Sequence, residues 1–189
     1  MTLKIHEAII FAGKRHAGQV RKGSNIPYLV HPMEVMGILM ENGCSEEVII
    51  AGILHDVLED TCEDNDTIRE IVREQIREKF GETVLNIVNA ESEDKSKTWQ
   101  ERKKHTIKMM SEESSEVQMV CCADKLSNIM STKANIDQIG DKVWKRFNAP
   151  KEDIKWYYEG IAQSLKKIEN MKMVEELKEY IKSVFAEKL

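Results

Sequence analysis

The sequence predicts an all-α protein built as one compact helical bundle, on three observations. Apolar residues recur at three- and four-residue spacing along most of the chain, as one buried face of a helix requires. Glycine and proline, nine and three in 189 residues, fall mainly where such helices would end. No segment sustains the alternating, β-branched pattern of a strand beyond a few residues.

Taken in order, Ile5, Ala8, Ile9 and Ala12 mark a first helix, and Gly18 to Pro32 reads as a loop rich in glycine, serine, asparagine and proline. Pro32 suits the first position of a helix through about Glu41, which Asn42-Gly43 would stop. Ser45 is an N-cap for a helix from Glu46 to Glu59. Acidic residues dominate Glu59 to Asp66. Ile68, Ile71, Val72, Ile76 and Phe80 then outline an amphipathic helix closed by Gly81, with another over Thr83 to Ala90. Glu91 to Thr98 has no apolar residue and reads as a surface loop before a helix from Trp99 to Met110. A mostly apolar helix follows from Ser115 to Ser131, then a short one near Ile136 and a polar linker to Pro150. Two helices, Lys151 to Glu169 and Val174 to Glu187, complete the chain.

The length suits one domain over residues 1–189, with its motifs in 11–131 and the helices of 151–187 packing on that core. A composition of 41% hydrophobic and 32% charged residues is that of a folded, soluble protein. The formal charge of −5 argues against general nucleic-acid binding, which needs a basic footprint, and leaves room for a small anion in a locally basic pocket. Cys44, Cys62, Cys121 and Cys122 show no CxxC spacing, so reduced thiols and a cytoplasmic location are expected. No apolar run is long enough to span a bilayer, and the N-terminal segment lacks a signal-peptide cleavage pattern.

The stretch AGILHDVLEDT, Ala51 to Thr61, departs from a plain core helix. Helical spacing puts His55 and Glu59 on one strip and Asp56 and Asp60 on the next. Charges amid aliphatic residues need a partner or a metal; a satisfied acidic helix end is the simpler reading of this pair alone. His31, just before a helix start in PYLVHP, and Asp124, inside the apolar VCCADKLSNI, stand where a fold would hide further ligands. A set of two histidines and two aspartates suits a divalent first-row metal: manganese, iron, zinc or nickel.

Between Ala12 and Gly23 the chain carries Lys14, Arg15, Arg21 and Lys22 and no acid, a local reversal of its negative balance. Such a segment can neutralise a polyphosphate. At least Lys14 or Arg15 is expected to be an ordinary solvated charge. Asn128 follows Asp124 by one turn and Ser131 by almost two, so the three can share a face. Core packing accounts for most of the aromatic cluster Trp144, Phe147, Trp156, Tyr157 and Tyr158.

The pattern H…HD…D, here His31, His55-Asp56 and Asp124, resembles that of the HD-domain phosphohydrolases. The segments HAGQVRKGSNIPYLVHP, HDVLEDT, FGETVLNIV, SEDKSKTWQERK and CCADKLSNIMS together resemble the hydrolase domain of RelA/SpoT-type guanosine polyphosphate enzymes, especially the stand-alone small hydrolases. The resemblance implies that His31, His55, Asp56 and Asp124 bind one manganese ion and that Glu59 and Asp60 position or activate the attacking water. It implies substrate contacts from Arg21, Lys22 and Ser24, from Lys95 and Lys97, from Asn128 and Ser131, and from Tyr157. The implied reaction removes the 3′-pyrophosphate from guanosine 3′,5′-bis(diphosphate) or its pentaphosphate. The chain ends where a synthetase domain would begin, so hydrolysis without synthesis is expected. The Arg21 to His31 spacing is one residue longer than in the long bifunctional enzymes, and Met130 stands where those often carry arginine. These departures keep in view an HD nucleotidase or phosphatase for another nucleotide; a nucleotide-binding module without turnover is a third reading, against which the intact His31, His55, Asp56, Glu59, Asp60 and Asp124 count.

Overall fold

A computed structural model of the chain describes residues 2–62, 65–90 and 97–186. Among them the regular structure is helical, and β pairing is limited to one isolated antiparallel bridge between Val20 and Pro27. No described helix is long and apolar enough to cross a membrane. The chain divides into two units, Met1–Glu93 and Asp94–Leu189.

The first unit is organised around α3, Glu46–Leu54, whose residues from Val48 to Leu54 are all buried. A helix that is apolar all round must be covered on every side, and α1 (Leu3–Arg15), α2 (Val30–Glu41) and α6 (Glu82–Ala90) pack against it. The approach of α2 is close at Gly52. A methyl group there would collide with Leu39 Cδ1 and lie 3.1 Å from Val35 Cγ1. Ser45 accepts from the Val48 N–H and starts α3 as its capping chemistry predicts.

The predicted helix from Glu46 to Glu59 is interrupted. α3 stops at Leu54, and a short α4, Val57–Asp60, resumes after His55 and Asp56. The His55 side chain explains the break: its Nδ1 donates to the Gly52 carbonyl at 2.8 Å, in competition with the backbone ladder. α2 begins two residues earlier than Pro32, at Val30; proline is tolerated there because first-turn N–H groups have no intrahelical partner. α5, Asp66–Phe80, starts at the Asn65 cap and ends at Gly81, whose φ of 97° only glycine adopts readily.

In the second unit α8, Ser115–Ile139, runs eight residues past the predicted end at Ser131 and absorbs the short helix expected near Ile136. Gly140, at φ 61°, stops it, and a 3-10 segment follows over Gly140–Arg146. α9, Lys151–Ser164, packs on α7 (Trp99–Met110) and on α8; α10, Lys172–Phe185, packs on α8 and α9. The last two helices thus differ from their predicted bounds, with a 3-10 turn at Lys166–Ile168 between them and Glu187 outside the described residues. α7 begins with a capping box in which Thr98 and Glu101 bond each other's backbone N–H. The Thr98 hydroxyl and then the Thr98 N–H, both donating to Glu101 Oε2, hold the Glu101 carboxyl below its ordinary value.

Candidate metal centre

Within the first unit, His31, His55 and Asp56 converge, with one potential ligand atom from each lying within 4.8 Å of the others. The interrupted helix supplies His55 and Asp56 at the break, and the first turn of α2 supplies His31. Both histidines are buried, at 1% and 3% exposure, while Asp56 is half-buried. His55 Nε2 lies 2.9 Å and His31 Nε2 3.6 Å from the same oxygen, Asp56 Oδ2.

A carbonyl can only accept, so the bond to Gly52 puts the proton of a neutral His55 on Nδ1. Nε2 then presents a lone pair to a carboxylate oxygen, an arrangement of two acceptors that is repulsive unless a proton or a metal ion is shared between them. The donor set fits a divalent cation, and a backbone carbonyl fixing the far nitrogen is the usual way of orienting a ligating imidazole.

Tyr28 completes the surroundings of Asp56. Its hydroxyl donates to Asp56 Oδ2 at 2.5 Å, and its ring stands edge-on to His31 with centroids 5.9 Å apart. The sequence reading passed over this tyrosine although it stands three residues before His31, a spacing that places side chains on neighbouring faces of a starting helix. It also passed over Arg15 as an anchor. Arg15 Nε donates to Thr61 Oγ1 and Nη2 to the Thr61 carbonyl, both at 3.0 Å, which ties the end of α1 to the residue after α4. Lys14 is exposed, as expected for one of that pair.

Glu59 is half-buried and Asp60 exposed on α4; the Asp60 N–H donates to the Asp56 carbonyl at 2.9 Å, so the i,i+4 relation survives the helix break. Arg21, Lys22 and Ser24 lie in a hairpin-like loop. Arg21 N–H donates to the Ile26 carbonyl at 2.8 Å and Tyr28 N–H to the Gln19 carbonyl at 2.9 Å. The Ser24 hydroxyl donates to the Arg21 carbonyl and accepts from Ile26 N–H, so this side chain shapes the turn. Lys95 lies outside the described residues, and Lys97 is exposed.

In the second unit Asp124 is 6% exposed on α8. Asn128 Nδ2 donates to its Oδ1 at 2.5 Å, and the Lys125 ammonium, which sequence reasoning did not select, bonds Oδ2. Ser131 is half-buried and its carbonyl accepts from Asn135. Tyr157 is buried, with Lys103 Nζ 4.8 Å and Lys125 Nζ 5.8 Å from its ring centroid.

Residues 8–155 match the family model for the HD domain. The chain belongs to the HD-domain family. Among HD-domain relatives, the guanosine-3′,5′-bis(diphosphate) 3′-pyrophosphohydrolase MESH1 of Drosophila melanogaster is 33% identical over 135 residues, 70% of this chain and 71% of that protein. A GTP pyrophosphokinase of Myxococcus xanthus is 52% identical over 52 residues, but the chain spans only 7% of its length. A crystal structure from Listeria monocytogenes EGD-e shares 34% identity and a TM-score of 0.73, over 83% of this chain and 99% of that one. A metazoan ortholog of SpoT, described as hydrolysing ppGpp, shares 26% identity and a TM-score of 0.74, over 97% and 96% of the two chains. The fold is therefore the all-α HD-domain fold, and the protein is an HD-superfamily metal-dependent phosphohydrolase.

Proposed function

We propose that the protein removes the 3′-pyrophosphate from guanosine 3′,5′-bis(diphosphate) or the corresponding pentaphosphate, giving GDP or GTP and pyrophosphate. The observation that carries this reading is the 33% identity to the Drosophila pyrophosphohydrolase over 71% of its length. The convergence of His31, His55 and Asp56 in this chain supports it.

His31, His55 and Asp56 would hold the ion, with Asp124 as fourth ligand on the H…HD…D pattern, and manganese is the proposed metal. When bound, such an ion polarises a phosphoryl oxygen and lowers the pKa of a water. Glu59 and Asp60, on the turn after Asp56, orient the attacking water and accept its proton, a task suited to carboxylates near an acidified water. Arg21 and Lys22 neutralise phosphate charge from the loop, with Lys95 and Lys97 as further cations and Ser24 ordering the loop. Asn128, Ser131 and Tyr157 are the proposed contacts to the sugar and base.

The family match from residue 8 to residue 155 runs through both units, which supports a single hydrolase domain over 1–189. No disulfide links the four cysteines, in keeping with a cytoplasmic enzyme. The proposed partner is a small anionic nucleotide rather than a nucleic acid, as the charge of −5 suggests.

The test is hydrolysis of the bis(diphosphate) by purified, manganese-loaded protein, with released phosphate and pyrophosphate measured separately. Pyrophosphate and GDP in equal amounts are expected. An intact substrate, with turnover of another nucleotide in the same panel, would overturn the assignment.

A further inference from the structure

Gln19 and His16 lie outside the ligand set and outside the proposed substrate contacts, yet they join its two ends. Gln19 Nε2 donates to the Asp60 carbonyl at 2.9 Å, and Gln19 Oε1 faces His16 Nδ1 at 2.7 Å. Because the Asp60 carbonyl can only accept, the amino group of Gln19 must be the part that faces it. The Gln19 oxygen therefore points at His16, and His16 must carry a proton on Nδ1. The imidazole is 3% exposed, and among the described residues no donor or acceptor reaches its Nε2. Its ring packs on Tyr28, with centroids 4.8 Å apart and planes inclined by 32°. The Tyr28 hydroxyl bonds Asp56 Oδ2, and the Asp60 N–H returns to the Asp56 carbonyl. Asp56, Tyr28, His16, Gln19 and Asp60 thus form a closed circuit of contacts.

We propose that His16 and Gln19 are positioning residues that lock the Glu59-Asp60 turn in register with Asp56, acting through the Asp60 carbonyl at one end and the Tyr28 ring at the other. The circuit has two halves with separate consequences. Gln19 controls the rotation of α4, and so the aim of the two carboxylates; Tyr28 controls the orientation of the Asp56 oxygen that faces both histidines. Loss of the first half lowers turnover with the ion still bound. Loss of the second weakens ion binding. This inference rests on the hydrolase reading for its kinetic consequence, whereas the hydrogen-bonded circuit stands without it.

The experiment uses the full chain with Gln19→Leu, His16→Phe, His16→Asn and Tyr28→Phe. In nitrogen-detected NMR of the metal-free protein, His16 is expected as the Nδ1–H tautomer, with that preference lost in Gln19→Leu. In calorimetric titration with Mn2+, Gln19→Leu and His16→Phe are expected within twofold of the parent, and Tyr28→Phe weaker by about 10-fold, at the low end for residues that support metal ligands. In steady-state assays, kcat falls about 10- to 100-fold in Gln19→Leu and His16→Phe with KM unchanged. His16→Asn, which can keep a donor at the Nδ1 position, recovers part of that loss. An Nε2–H tautomer in the parent, or parental kcat in Gln19→Leu, overturns the proposal, as does equal loss of Mn2+ affinity in every variant. If the parent leaves guanosine 3′,5′-bis(diphosphate) intact, the hydrolase reading fails, while the tautomer and titration results still decide whether the circuit exists.

Discussion

Asp56 in the first unit draws its described contacts from Tyr28, His31 and His55, whereas Asp124 in the second draws its own from neighbours on the same helix, Lys125 and Asn128. Both side chains are substantially buried, at 21% and 8% exposure. One carboxylate is approached by two imidazoles that are strong metal ligands. The other is already countered by an ammonium group from the adjacent residue. The contrast teaches that a buried carboxylate can be oriented by its own helix, as Lys125 and Asn128 orient Asp124, or by side chains converging from other segments, as at Asp56, and that either arrangement can present oxygens to a cation.

The sharpest way to break this contrast is Asp56→Ala. It is expected to bring manganese content to background by elemental analysis and to reduce hydrolysis at least about 100-fold, beyond the usual effect of losing a supporting residue. A variant that kept a full equivalent of metal would show that Asp56 is no more a ligand than an ordinary paired carboxylate. Next, Glu59→Gln and Asp60→Asn should each lower kcat by about 10²- to 10⁴-fold, as loss of a proton-transfer group does. Their metal content should stay at the parental level, which separates them from Asp56.

Lys125→Met addresses the other half of the contrast. Leaving the Asp124 carboxylate without its ammonium partner should destabilise the metal-free protein by about 1–3 kcal/mol in urea unfolding. A change within error would mean that Asn128 and the other surroundings of Asp124 suffice. The smallest effect is expected from Gly52→Ala, which pushes Leu39 on α2 away from α3. A cost of about 1 kcal/mol fits mild overpacking against a side-chain end. Because α2 carries His31, manganese affinity should fall several-fold in that variant while the bonds of Asp124 stay intact by NMR.

The helices were legible in the sequence wherever a cap or stop and a periodic face agreed, as at Ser45 and Gly81. They were misread where a side chain competed with the ladder. The break at His55 and Asp56 depends on an imidazole bond to a carbonyl three residues earlier, which periodicity does not register. The length of α8 was hidden for the opposite reason: its outer residues beyond Ser131 are too polar to show a face, yet nothing stops the helix before Gly140. In the site, His31, His55 and Asp56 stood out as polar residues in apolar settings, and the structure brings them together. Tyr28, Gln19 and His16 did not stand out. Each looks ordinary at its own position, and its meaning comes from partners 28, 41 and 3 residues away.

The basic loop is closed at its neck by the Val20–Pro27 bridge and by the Tyr28 to Gln19 backbone bond, with Tyr28 and His31 continuing directly into α2. A neck of this kind decouples length from register. Residues added or removed among Lys22, Gly23, Ser24 and Asn25 reshape the tip beyond the bridge and leave His31 in place at the start of α2. If the tip meets the substrate's phosphates as proposed, a library randomised only across it is expected to shift substrate preference while metal content stays at the parental level.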